Sequence, residues 1–161
     1  MPTDAYLLLG ANLGDRAATF QKATEAIAER VGPILETSSL WETAPWGLTD
    51  QPAFLNQVLR VATRRGASEV LAALLQIERD LGRVRYEKWG ARLIDLDMLY
   101  FGSEIIHESD LSVPHPHLQD RRFALAPLAE LASEFVHPVL GLTNQELLAR
   151  CPDPSEVVRV A

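Results

Sequence analysis

Asp95 and Asp97 stand two residues apart in the run Arg92-Leu93-Ile94-Asp95-Leu96-Asp97-Met98-Leu99-Tyr100-Phe101, and this pair carries the clearest chemistry in the chain. The run is apolar and β-prone, which predicts a strand. Side chains alternate faces along a strand, so the two carboxylates point the same way, about 7 Å apart. Like charges on one half-buried face repel unless a cation lies between them. Oxygen ligands favour a hard ion such as Mg²⁺, which completes its shell with water and substrate phosphates. A solvated strand face is the competing reading of any Asp-x-Asp. Leu99 and Phe101 on the face of the aspartates, with Ile94, Leu96 and Met98 on the other, weigh against it. A strand apolar on both faces is expected centrally in a sheet, with its carboxylates near one end.

Basic residues flank the pair. Arg83, Arg85, Lys88 and Arg92 precede it, and His115, His117, Arg121 and Arg122 follow. Each cluster alone reads equally well as a solvated loop; together, around a carboxylate pair in an acidic chain, they point to a compact polyanionic ligand. Phe54 and Asn56 share one face of another predicted strand. An aromatic ring beside an amide can grip a flat heterocycle by stacking and edge hydrogen bonds, although for an isolated pair core packing is the better reading. Trp46, Trp89 and Phe123 are further aromatics placed beside Gly, Pro or charged residues. Glu78 stands at the margin of a helix stripe, either as a surface carboxylate or as an acceptor for a ribose hydroxyl. No Ser-His-Asp or Cys-His arrangement is legible, and the lysines, Lys22 and Lys88, lend little to Schiff-base chemistry.

The elements that must position these residues follow from periodicity and punctuation. Tyr6 to Leu9 predicts a first strand, entering Gly10-Ala11-Asn12-Leu13-Gly14-Asp15. That segment lacks the Gly-Lys-Ser/Thr ending of a phosphate loop and reads as a tight turn. Asp15 can cap a helix with Phe20, Ala23, Ile27 and Val31 on its apolar face. Ile34 to Glu42 and Phe54 to Thr63 predict two more strands, joined by the Pro/Gly-rich stretch from Thr43 to Pro52. Gly66 to Leu81 predicts a second helix, capped by Ser68 and striped by Val70, Leu74, Ile77 and Leu81. After the aspartate strand come a short strand within Glu104 to His107 and an irregular Val113-Pro114-His115-Pro116-His117. Helices follow within Arg121 to Leu131 and Thr143 to Arg150, then a peripheral tail at Pro152-Asp153-Pro154. The order is the split βαβ pattern of a ferredoxin-like α+β fold, a βαββαβ core with additional C-terminal helices, in one domain over 1–161.

Composition narrows the class. The 161 residues are 47% hydrophobic and carry a net charge of −7, which disfavours a general nucleic-acid binder. The opening Met1-Pro2-Thr3-Asp4-Ala5 has no basic segment, and the apolar run after it is too short to span a membrane. Cys151 is the single cysteine, so an internal disulfide is excluded and a cytoplasmic location is expected.

Taken in order, these segments resemble the 6-hydroxymethyl-7,8-dihydropterin pyrophosphokinase family of folate biosynthesis. The resemblance runs from about Tyr6 to Leu131. It rests on Gly82-Arg83-Val84-Arg85, Trp89-Gly90-Ala91-Arg92-Leu93-Ile94-Asp95-Leu96-Asp97, and Val113-Pro114-His115 followed by Arg121 and Phe123. Gly10-Ala11-Asn12-Leu13-Gly14 and Gln51-Pro52-Ala53-Phe54-Leu55-Asn56 add to it. It implies transfer of pyrophosphate from ATP to the hydroxymethyl group of the pterin, with release of AMP. It also implies that Asp95 and Asp97 hold two Mg²⁺ ions. The pterin site would then comprise Thr43, Pro45, Trp46, Phe54, Asn56, Trp89 and Phe123. ATP would lie among Glu78, Arg85, Trp89, Arg92, Ser112, His115 and Arg121, with Arg85 and Arg92 neutralising phosphate charge.

Three positions depart from the family pattern. Leu75 stands where some members offer a glutamine, Asp110 where a basic residue is common, and Pro116 in place of an aromatic. These bear on the adenosine and ribose contacts, not on the reaction. The charged loop from Arg83 to Lys88 is expected to be mobile and to close over ATP. The leading expectation is therefore a monomeric, Mg²⁺-dependent enzyme acting on small molecules. The alternatives are another metal-dependent nucleotidyl- or phosphoryl-transferase, and a non-catalytic binding module on the same fold.

Overall fold

Thr3–Ala11 form β1, a strand flanked on both sides and covered on both faces, which explains its unbroken apolar run. The computed structural model describes residues 1–43, 53–82 and 93–161. After β1 come α1 (Arg16–Arg30), β2 (Ile34–Thr37), β3 (Trp41–Thr43), β4 (Phe54–Thr63), α2 (Ala67–Asp80) and β5 (Asp95–Phe101). The chain continues through β6 (Ile106–His107), β7 (Ser112–Val113), a 3-10 turn (Leu118–Asp120), α3 (Arg122–Ala132), α4 (Asn144–Arg150) and β8 (Val157–Arg159). The main sheet runs β5-β1-β4-β3-β8, with β2 also on β4, and its pairings are antiparallel.

Alternation along β1 divides the core into two layers. Ala5, Leu7, Leu9 and Ala11 face Phe20 and Ile27 of α1 and Val70, Leu74 and Ile77 of α2. Tyr6 and Leu8 face the opposite way, packing with Val58, Leu99 and Tyr100 against Leu125 and Leu128 of α3 and Leu147 of α4. The Asp15 carboxylate caps α1 by accepting from the Ala18 N–H at 3.1 Å.

Several expectations are corrected. Gly10 and Ala11 are the last residues of β1 rather than a turn. The expected strand from Ile34 to Glu42 is broken at Ser38, which is buried. The Ser38 hydroxyl accepts the Val58 N–H at 2.9 Å, substituting for a ladder carbonyl, and β2 and β3 follow one another along the same side of β4. Ser68 does not cap α2: Gly66 is the N-cap, and its N–H donates to Glu69 Oε1 at 2.9 Å. The tail is not peripheral. Asp153 is buried, its Oδ2 accepts from the Arg122 N–H at 3.1 Å, and β8 extends the sheet beyond β3.

The largest correction concerns β5, which lies at the end of the strand order rather than centrally. It is apolar on both faces because α2 covers one side and Leu118 and α3 close the other. The register moves from Tyr6↔Tyr100 to Leu7↔Met98, leaving Leu99 as the extra residue of a β-bulge. Leu99 stays on the aspartate face, but Phe101 turns to the α1/α2 face.

Candidate active site

The site is assembled where the C-terminal ends of β1 and β3 meet the N-terminal ends of β4 and β5. Strand register makes the arrangement explicit. Asn56 of β4 is opposite Gly10 of β1, and Gly10 is opposite Asp95 of β5. One step deeper, Val58, Leu8 and Asp97 form the next row on the same face. On the other side of β4, Trp41 pairs with Asn56 and Thr43 with Phe54. Thr43, Phe54, Asn56, Asp95 and Asp97 therefore share the face covered by α3. Phe123, in the first turn of α3, packs against the same layer.

Burial separates these residues by role. Asp95 and Asp97 are half-buried, with the buried Leu96 between them. Thr43 and Asn56 are each only 3% exposed, and Thr43 Oγ1 and Asn56 Oδ1 find no hydrogen-bond partner among the described residues. The Asn56 Nδ2 donates to the Leu9 carbonyl at 3.3 Å. Leaving a buried polar atom unpaired costs about 1–3 kcal/mol, and two such atoms lie at this end of the sheet; His137 Nε2 is a third among the described residues. The flanks are braced. Arg16 donates to Glu42 Oε2 at 2.9 Å and to the Ala53 carbonyl at 2.8 Å, tying the end of β3 to the start of β4. The Trp41 indole donates to Glu130 Oε1 at 3.0 Å, and the Ser39 hydroxyl donates to Glu130 Oε2 at 2.9 Å. Burial works against charge on Glu130, but these donors outweigh it and hold the carboxyl below its usual range.

A second group lies along the free edge of β5. A cavity of about 280 Å³ is lined by Leu71, Leu96, Asp97, Met98, Ser112 and His115, among others. Asp110 and Pro116, two of the departures from the family pattern, also line it, whereas Leu75 on α2 is exposed. The His115 N–H donates to the Leu99 carbonyl at 2.9 Å, covering part of that edge. Its Nδ1 accepts the His117 N–H at 3.2 Å, so the neutral ring carries its proton on Nε2. Burial, then the charges of Arg121 and His117, push the His115 pKa down to about 4. The Arg121 guanidinium lies 5.8 Å from the centre of the Phe123 ring, and its charge is also felt at His115.

Glu78 is buried, and its Oε2 accepts the Leu96 N–H at 2.7 Å. It is thus a structural partner of the aspartate strand, a role its place at the edge of the helix stripe did not reveal. Sequence reasoning also missed the brace by Trp41 and Glu130, for which no local signal exists. Pro45, Trp46, Arg85, Trp89 and Arg92, and the expected mobile loop from Arg83 to Lys88, lie outside the described residues. No group of three or more metal-ligating side chains occurs among the described residues. Two half-buried carboxylates on one strand face nevertheless fit Mg²⁺, which binds through one or two carboxylates plus phosphates and water.

The described residues form an antiparallel sheet layered by helices, an α+β fold, with a carboxylate pair at one sheet end and a cavity beside it that includes His115. The chain belongs to the 7,8-dihydro-6-hydroxymethylpterin-pyrophosphokinase family, whose profile matches residues 6–133. It is 41% identical over 159 residues to a 2-amino-4-hydroxy-6-hydroxymethyldihydropteridine pyrophosphokinase of Methylorubrum extorquens, covering 98% of this chain and 99% of that one. The Bacillus subtilis protein of the same name is 40% identical over 131 residues, covering 81% of this chain and 78% of that protein. The fungal folic acid synthesis protein fol1 of Pneumocystis carinii is 41% identical over 138 residues, 86% of this chain but 19% of that longer protein. Among solved structures, the wild-type HPPK-DHPS of Plasmodium falciparum superposes with a TM-score of 0.74 at 17% identity. That match covers 93% of this chain and 45% of the other, and bears on the fold alone. No described helix is long and apolar enough to cross a membrane.

Proposed function

We propose that this chain transfers pyrophosphate from ATP to 6-hydroxymethyl-7,8-dihydropterin, giving the pterin diphosphate and AMP in folate synthesis. The observation that carries the reading is the row Asn56–Gly10–Asp95. It sets an orphaned amide acceptor and a metal-type carboxylate on one face at one end of the sheet.

On this reading Asn56 Oδ1 and Thr43 Oγ1 meet the polar edge of the pterin, and Phe54 and Phe123 pack on its rings, with Pro45, Trp46 and Trp89 completing the pocket. Stacking of the flat heterocycle between aromatic faces excludes water from its faces, while Asn56 Oδ1 and Thr43 Oγ1 select the hydrogen-bonding pattern of its edge. Ser112, His115 and Arg121 hold the nucleotide beside Asp97, and Arg85, Trp89 and Arg92 complete the ATP site. The neutral His115 ring offers its Nε2–H to an oxygen without adding charge. Asp95 and Asp97 would hold Mg²⁺, two ions by family resemblance, which when bound neutralises phosphate charge and aligns the reacting groups. The hydroxymethyl oxygen attacks the β-phosphorus, and the bond from that phosphorus to the α-phosphate oxygen breaks. Arg85 and Arg92 oppose the charge that accumulates as AMP leaves.

The strand order β5-β1-β4-β3 with two crossing helices supports a ferredoxin-like core, β2 and β3 together filling one strand position. One domain over 1–161, a monomer, and a cytoplasmic location belong to the same reading. Incubation with ATP, Mg²⁺ and hydroxymethyl-dihydropterin is the test. AMP formed in step with pterin diphosphate supports the proposal; ADP or free pyrophosphate would replace it with another phosphoryl or nucleotidyl transfer.

A further inference from the structure

Gly10 occupies the middle of the Asn56–Gly10–Asp95 row, on a strand whose neighbouring positions are filled by buried leucine and alanine. A strand interior is an unfavourable place for glycine, which brings no side chain to pack and the largest loss of chain entropy. The backbone does not require it here: among the described residues the glycines with positive φ are Gly14, Gly82, Gly102 and Gly141, and Gly10 is not one of them. What a side chain here would meet is the end of the Asn56 amide. A Cβ on Gly10 would lie 2.9 Å from Asn56 Nδ2, closer than real Cβ contacts come, and chain neighbours aside no other atom of the described residues stands within 4 Å. That nitrogen is committed to the Leu9 carbonyl, one residue before Gly10. The amide thus lies down across the glycine, and this pose leaves Oδ1 as the unpaired acceptor.

We infer that Gly10 is a positioning residue for recognition of the acceptor substrate: its missing side chain seats the Asn56 amide so that Oδ1 faces a donor of a flat heterocycle. The inference rests on the reading of Asn56 as a pterin contact. A methyl group at position 10 lifts the amide, breaks its bond to Leu9 and misdirects Oδ1. Backbone strain plays no part, so the fold should tolerate the change.

The experiment compares wild type, Gly10→Ala, Asn56→Ala and the double variant. Binding of 6-hydroxymethylpterin alone is measured by calorimetry, alongside steady-state KM for both substrates and thermal unfolding. Gly10→Ala is expected to weaken pterin binding about tenfold or more. It should raise the pterin KM and leave the ATP KM and the melting temperature close to wild type. In the Asn56→Ala background the same change should cost almost nothing, because the group it displaces is gone. Wild-type pterin affinity in Gly10→Ala would overturn the inference, as would equal losses with and without Asn56. A joint fall in both substrates' affinities with early melting would make Gly10 a structural residue only. Failure of the wild type both to bind the pterin and to form pterin diphosphate with ATP would instead overturn the functional reading beneath it.

Discussion

The buried Glu78 carboxylate accepts the backbone N–H of Leu96 at 2.7 Å, and Leu96 is the residue between Asp95 and Asp97. Among the described residues β5 ends the sheet, and no neighbouring strand receives this N–H. A helix side chain fills that role, so α2 holds the backbone from which both aspartates project. Glu78→Ala removes the acceptor and leaves a buried N–H unpaired, at a cost of about 1–3 kcal/mol. It is expected to lower stability to denaturant and to raise the Mg²⁺ concentration needed for half-maximal turnover. Glu78→Gln keeps a carbonyl oxygen and should behave more mildly on both measures. Unchanged Mg²⁺ dependence in the alanine variant would count against this positioning role.

Asp97 shares its row with Leu8 and Val58 and is half-buried beside an apolar layer. Replacing it with alanine removes a charge from that layer, so Asp97→Ala should fold with a melting temperature no lower than wild type by more than a few degrees. AMP production should nevertheless be abolished. Turnover near the wild-type rate would sink the metal assignment.

The Thr43 hydroxyl is a polar group carried at a loss, since its oxygen is buried and unpaired among the described residues. Thr43→Val keeps the shape and the β-branching while deleting that group. It is expected to stabilise the protein by about 1 kcal/mol and to weaken pterin binding. Denaturant titration and calorimetry measure the two effects; a variant that gains stability with undiminished pterin affinity would remove Thr43 from the site.

His115 has a pH signature of its own. Its pKa is pushed down to about 4 in the folded chain, against about 6.5 when unfolded. Between those values the unfolded chain binds more protons, so stability falls as pH drops from about 6.5 towards 4. The full effect is on the order of 3 kcal/mol, a pKa unit being worth about 1.36 kcal/mol. Burial lowers the His137 pKa too, which adds to the slope in the same direction. Denaturation curves at pH 7 and pH 5 should differ more in wild type than in His115→Gln, and identical differences would show that the histidine does not carry the slope.

Much of the chemistry was legible before folding because it depends on local periodicity. Asp95 and Asp97 share a face since strands alternate, and the stripe from Val70 to Ile77 buries one side of α2 since helices repeat every 3.6 residues. Asp15 caps its helix through a contact three residues away. Nothing local says which strands are neighbours. The end position of β5, the bulge that turns Phe101 away from the aspartates, and the return of the tail to β3 all come from pairings between distant segments. Register does the rest: a one-residue slip would put every side chain on the other face. The types and spacings of Asn56, Gly10 and Asp95 were in the sequence. That they form one row, with the Asn56 amide resting on a glycine and its oxygen left unpaired, was decided only when three strands packed side by side.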